Sequence, residues 1–208
     1  TPCDEIKLQI QVPTFIAKKE ELEKLTNKKE ETGYIQNKDG TFTKLNPTNG
    51  GHSLDIKVDK FNTMGYMHTH LNNFLNGEFD KDGNPKEIRP IRMFSPADIL
   101  KFLQIAKNSE YNSISMSSVY GTMVSSSGTY TLHFTGNTND ITGLKTAEEY
   151  KDDFKKYIKK KGKEKGFLHF LKDFIKIDGI NLYRIRNNGD VEKKTLKENG
   201  RVDTNDCE

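Results

Sequence analysis

Two histidines separated by one residue, at the end of an apolar run, constrain this chain more than any other feature. Tyr66-Met67-His68-Thr69-His70 reads as a strand. Side chains alternate along a strand, so His68 and His70 leave on the same face. Ser95-Pro96-Ala97-Asp98 then opens a helix. Ser suits the N-cap, Pro the first helical position, and an acid at the third position completes a capping box. Capping by itself accounts for that motif. Taken with the histidine pair, Asp98 in the first turn supplies a third ligand. Two imidazoles, one carboxylate and an open fourth position form a catalytic zinc arrangement. The fold must bring a strand end and a helix start together at one cleft.

A chain of 208 residues can bury a sizeable core, and one domain with appendages is expected. The mean hydropathy of −0.80 makes the surface very polar, and twelve Phe and eight Tyr supply the aromatic core. The 33 basic and 30 acidic residues leave a net charge of only +3, which argues against nucleic acid as a partner. No apolar run approaches the ~20 residues that span a bilayer, so no membrane insertion is expected, and no signal peptide is visible. The opening Thr1-Pro2-Cys3, without an initiator Met, reads as that of a processed product or a segment of a longer precursor. The two cysteines, Cys3 and Cys207, lie near opposite ends. Either one disulfide ties the termini or both are free thiols. A disulfide would suit an extracytoplasmic stage.

Along the chain, Ile6, Leu8, Ile10 and Val12 alternate with polar residues, which predicts a strand or extended arm over 1–14. Residues 15–30 predict an amphipathic helix. A hairpin follows, with strands at 33–36 and 41–45 around Asn37-Lys38-Asp39-Gly40. A strand is expected over 53–58, then the histidine strand over 64–70. Residues 71–94 form a long polar insert of the kind that is functional or mobile. The helix from Ser95 carries Ile99, Phe102 and Leu103, and strands are expected near 119–125 and 129–135. The tail, 144–208, is read as a separate helical and hairpin extension. Its helices carry Tyr150 and Phe154, then Phe167 and Phe170, and its hairpin turns at Asn187-Asn188-Gly189-Asp190. Lys159-Lys160-Lys161 reads as a solvated helix end rather than a partner-binding patch.

The order His-x-His, then Ser-x-x-Asp, resembles the JAB/MPN (JAMM) family of metallopeptidases, over roughly residues 15–136. The segments Glu31-Thr32-Gly33-Tyr34-Ile35, Met67-His68-Thr69-His70, Met93-Phe94-Ser95-Pro96-Ala97-Asp98 and Tyr120-Gly121-Thr122-Met123-Val124 are closest to the JAB-like toxin domains. Those domains lie at the C-termini of Rhs-type polymorphic toxins of Bacteroidetes. The resemblance implies an α/β (α+β) core over 15–143, with a curved, mostly antiparallel sheet flanked by helices. It implies His68, His70 and Asp98 as zinc ligands, a glutamate as general base, and Ser95 as hydrogen-bond donor to the developing oxyanion. The base precedes a glycine in the family. Glu31 and Glu30 both fit, and Glu31 is preferred because Glu30 extends the solvated Lys28-Lys29-Glu30 helix end. A third option is that neither acts. Two departures stand out: Leu71 follows the second histidine where the family has Pro, and the insert before Ser95 is much longer than usual.

The implied activity is zinc-dependent peptidase or isopeptidase chemistry on a protein or peptide substrate. Its setting would be a secreted toxin delivered into a target cell and blocked by an immunity protein over the cleft or the insert. Two other readings stay open: a catalytically inactive JAB/MPN-like binding module, and another metallohydrolase. Against the latter, the chain lacks later His and Asp ligands and is short for a ~250-residue barrel. His52, near Asp55, is read as an ordinary loop residue rather than an auxiliary ligand. His133 and His169 are read as structural, and Ser125-Ser126-Ser127-Gly128 as a hairpin turn rather than a nucleophile.

Overall fold

The structure, a computed structural model, describes residues 1–48, 50–51 and 53–207. In chain order its elements are α1 (Pro2–Gln9), α2 (Pro13–Leu25), β1 (Gly33–Asn37), β2 (Phe42–Lys44), β3 (Thr63–Thr69), β4 (Phe74–Phe79) and β5 (Pro85–Ile88). Then come α3 (Pro96–Asn112), β6 (Tyr120–Ser125), β7 (Gly128–Phe134), α4 (Ala147–Lys161), α5 (Lys163–Phe170), β8 (Ile180–Ile185), β9 (Val191–Leu196) and β10 (Val202–Asp206). Eight strands form one sheet in the order β10-β9-β8-β7-β6-β3-β1-β2, and β4 and β5 pair separately. Every pairing in the large sheet is antiparallel except β3 with β6. The chain is therefore mixed α and β, with a mostly antiparallel sheet flanked by helices. Among the described residues, no helix is long and apolar enough to cross a membrane.

The period-2 alternation of β3 divides its side chains between two cores. Tyr66 joins Ile99, Phe102, Leu103 and Met123 under α3. Met67 points the other way, to Phe15 and Leu22 of α2, with Tyr34, Tyr120 and Val124. His68 and His70 follow the parity of Tyr66 and so emerge on the α3 side. The parallel pair brings two backbones close. Gly65 lies opposite Tyr120, and Gly121 opposite Tyr66. A Cβ on Gly65 would sit 2.4 Å from the Tyr120 ring, and one on Gly121 would sit 2.8 Å from the Tyr66 ring. A parallel pair needs a long crossover. Here the crossover carries the β4–β5 hairpin and α3 from the carboxyl end of β3 back to the start of β6.

Several expectations need correction. Residues 2–9 are helical. Thr1 caps them, Pro2 follows, and Asp4 closes a capping box, the same Thr/Ser-Pro-x-Asp signal that starts α3. Ile6 and Ile10 then share a helix face at i, i+4, while Leu8 is left exposed. Residues 53–58 form no strand. Leu54 makes one isolated bridge to Pro47, although Ile56 is still buried. The insert is not a plain loop, because β4 and β5 lie inside it. The tail is not a separate layer. β8 pairs with β7 and continues the main sheet, and β10 adds a strand beyond the expected hairpin. Phe154, Phe167 and Phe170 belong to the same core as Phe102.

Cys3 and Cys207 form a disulfide, with their Cα atoms 5.4 Å apart. It fastens α1 over the β8–β9 end of the sheet, where Ile6 packs on Tyr183 and Val191.

Candidate metal centre

His68 and His70 stand at the carboxyl end of β3, and Asp98 stands in the first turn of α3. His68 Nε2 lies 3.0 Å from His70 Nε2. Asp98 spans the pair, with Oδ1 at 3.3 Å from His68 Nε2 and Oδ2 at 3.5 Å from His70 Nε2. All three side chains are buried. A tetrahedral zinc with bonds of about 2.0–2.1 Å separates its ligand atoms by about 3.3–3.4 Å. The observed spacings of 3.0, 3.3 and 3.5 Å bracket that edge, so the donor set fits such an ion. Among the described residues, this is the group of histidines and carboxylates that could hold a metal.

The surroundings fix these donors. His70 Nδ1 lies 2.7 Å from the carbonyl oxygen of Ile91. A carbonyl only accepts, so the proton sits on Nδ1 and leaves Nε2 with a lone pair aimed at the centre. His68 Nδ1 is buried with no hydrogen-bond partner. The Asp98 carboxylate accepts the Ser95 N–H at 2.7 Å, and the Asp98 N–H donates to Ser95 Oγ at 3.3 Å. The capping contacts are therefore compatible with Asp98 also serving as a metal donor. Tyr66 donates its hydroxyl to the Asp98 carbonyl at 2.9 Å, anchoring the start of α3 to β3.

Glu31 and Ser95 line the same cavity as the three donors. Glu31 is held by its N–H, which donates to the Gly51 carbonyl at 2.8 Å. Thr32 next to it is locked to Thr69 in both directions: Thr32 N–H donates to Thr69 Oγ1 at 2.9 Å, and Thr69 N–H donates to Thr32 O at 2.8 Å. Gly33 permits this approach. A Cβ there would lie 2.8 Å from both His68 Cβ and the Met67 carbonyl oxygen. Glu30, the alternative base, is exposed, with its side chain over Gly51 and not on the cavity.

Burial pushes the Glu31 carboxyl above its ordinary range. His70 and His68 pull it back in part, and Asp98 adds to the rise. Burial acts to raise Asp98 as well, but the two imidazoles overcome it and hold the carboxylate well below its usual range. Burial acts to lower His70. The hydrogen bond and charge of Asp98 outweigh it, so His70 is raised.

The cavity has a volume of about 970 Å³. Its walls include Leu71, Ile88 and Ile91 of the insert, Lys101 of α3, and Lys151 and Phe154 of α4. No motif in the sequence pointed to α4 here, because the tail lies outside the matching segments. Ile91 was equally illegible, since it contributes a backbone carbonyl that no residue type announces. His133 is buried against Tyr183, with Nε2 3.1 Å from Gln9 Oε1, and His169 Nε2 lies 3.2 Å from the Gly200 carbonyl. Both lie outside the cavity. Ser125 and Ser127 bond within the β6–β7 turn, and Ser126 bonds Asn72. His52 lies outside the described residues. No protein-family model matches this chain, and neither a curated protein nor a solved structure matches it.

Proposed function

We propose that this chain is a zinc-dependent hydrolase of amide bonds, a peptidase or isopeptidase of JAB/MPN type. The observation that carries the reading is the pair of facing Nε2 atoms, 3.0 Å apart and spanned by one carboxylate, with Glu31 on the same cavity. His68, His70 and Asp98 would hold the metal. A bound zinc polarises a carbonyl and lowers the pKa of a coordinated water. Glu31 takes the proton of the attacking water and returns it to the leaving amine. The Ser95 hydroxyl accepts from the Asp98 N–H, which leaves its own proton free to donate to the developing oxyanion. The apolar walls restrict water around the scissile bond.

In this reading the chain is the effector domain of a secreted polymorphic toxin. It acts on a protein in the target cell, and an immunity protein covers the cleft or the β4–β5 hairpin. The disulfide supports an oxidising stage in its history.

Elemental analysis of the purified chain tests the metal, and incubation with peptide libraries tests the chemistry. About one zinc per chain is expected. It should be absent from the His68→Ala/His70→Ala variant at unchanged circular dichroism. Glu31→Gln should keep the zinc and lose at least about 10²-fold in cleavage rate. A wild-type chain that takes up no metal from added zinc at neutral pH refutes the proposal.

A further inference from the structure

We infer that the cleft selects polypeptide segments carrying acidic side chains beside apolar ones, and that Lys101 and Lys155 are the selecting residues. The inference rests on the peptidase reading and names its substrate class. Three carboxylates line the cavity: Glu31 and Asp98 sit on the floor beside the histidines, and Glu148 lies on the wall, paired with Lys151. The rim differs in sign. Four cations line it: Arg89, Lys101, Lys151 and Lys155. Two of them are neutralised within the chain: Arg89 pairs with Glu87 at 2.6 Å, and Lys151 with Glu148 at 3.0 Å. Lys101 and Lys155 have no ion-pair partner among the described residues.

Their positions place them at the cleft from two different helices. Lys101 lies three residues beyond Asp98, on the same face of α3. Lys155 lies one turn beyond Lys151 on α4, next in sequence to Phe154, which is buried against the α3 core. Leu71, Ile91 and Met93 supply apolar wall to the same cavity. Unpaired cations at the mouth of a concave, partly apolar site focus positive potential on whatever enters. Such a rim favours carboxylates and rejects lysine- or arginine-rich segments, so selection works by repulsion as well as attraction.

The test uses the zinc-supplied full chain and two dye-labelled, C-terminally amidated heptapeptides. Both share an apolar centre; one is flanked by Glu pairs and the other by Lys pairs. Fluorescence anisotropy at low salt reads binding, and mass spectrometry of the same samples reads cleavage. The acidic peptide should bind about 10-fold tighter, equivalent to 1.4 kcal/mol. The order should invert in Lys101→Glu/Lys155→Glu, with zinc content unchanged. Equal binding of the two peptides, no binding of either, or an unchanged preference in the variant overturns the inference. Preferential binding without cleavage of any library counts against the hydrolase reading alone. Cleavage without acidic preference counts against this inference alone.

Discussion

Reducing the Cys3–Cys207 disulfide should cost this fold about 5 kcal/mol. The bridge closes a loop with a sequence separation of 204 residues. The chain-entropy relation for a loop of that length gives about 5 kcal/mol at 25 °C, through the conformational freedom denied to the unfolded chain. For a chain of this size, that corresponds to about 10–20 °C in the melting midpoint. The native state gives little back on reduction, because Ile6 stays packed on Tyr183 and Val191, and the Cys207 N–H still donates to Val191 O at 2.8 Å. Urea denaturation followed by circular dichroism should compare the oxidised chain, the chain in reductant, and Cys3→Ala/Cys207→Ala. The last two should coincide. Zinc content should not change at neutral pH in native buffer, because the bridge lies at the β8–β10 end of the sheet and the donors lie at the end of β3 and the start of α3. A shift below about 1 kcal/mol would refute the entropic argument. A shift of the expected size that also removed zinc would refute the claim that the two regions are independent.

Gly33→Ala should destabilise the chain by about 1–3 kcal/mol and weaken zinc binding, because the new methyl would meet His68 Cβ and the Met67 carbonyl at 2.8 Å; urea midpoints and a zinc titration check both. His133 should make stability fall in acid. Burial pushes its pKa down to about 4, below the unfolded value of about 6.5. The unfolded chain therefore binds the extra proton first, and stability drops as pH falls from about 6.5 to 4, by about 3 kcal/mol in all. Urea midpoints across that range should show the slope, and His133→Phe should remove the share due to this residue.

The chemistry of the site was more legible in the sequence than its surroundings. His68, His70 and Asp98 meet because strand parity and helix capping are local rules, and local rules survive folding. The same rules misled at residue 6, where alternation and i, i+4 spacing coexist in Ile6-Lys7-Leu8-Gln9-Ile10. There the cap at Thr1, not the apolar pattern, settled the outcome. Residues 53–58 alternate like a strand, but only Leu54 makes a bridge, so burial of Ile56 preserves the pattern without the ladder. The place of the tail was illegible for a different reason. Whether β8 starts a new sheet or extends the old one depends on which edge is free, and the outer edge of β7 is open to β8 because β6, not β7, pairs with the distant β3. The hydrogen bond from His70 to the Ile91 carbonyl had no signal, since any residue at that position supplies the same acceptor.

That bond sets a condition on any attempt to transplant this centre. A designer who copied the His-x-His strand and the capped helix onto a rigid scaffold would reproduce the three donors but not the tautomer of His70. The tautomer is dictated by a carbonyl on the return arm of the insert, 21 residues further along the chain. His70 thus takes its proton placement from the segment that follows the β4–β5 hairpin, outside the large sheet. A minimal graft must carry residues 71–94 along with the ligands, or find another acceptor for the Nδ1 proton.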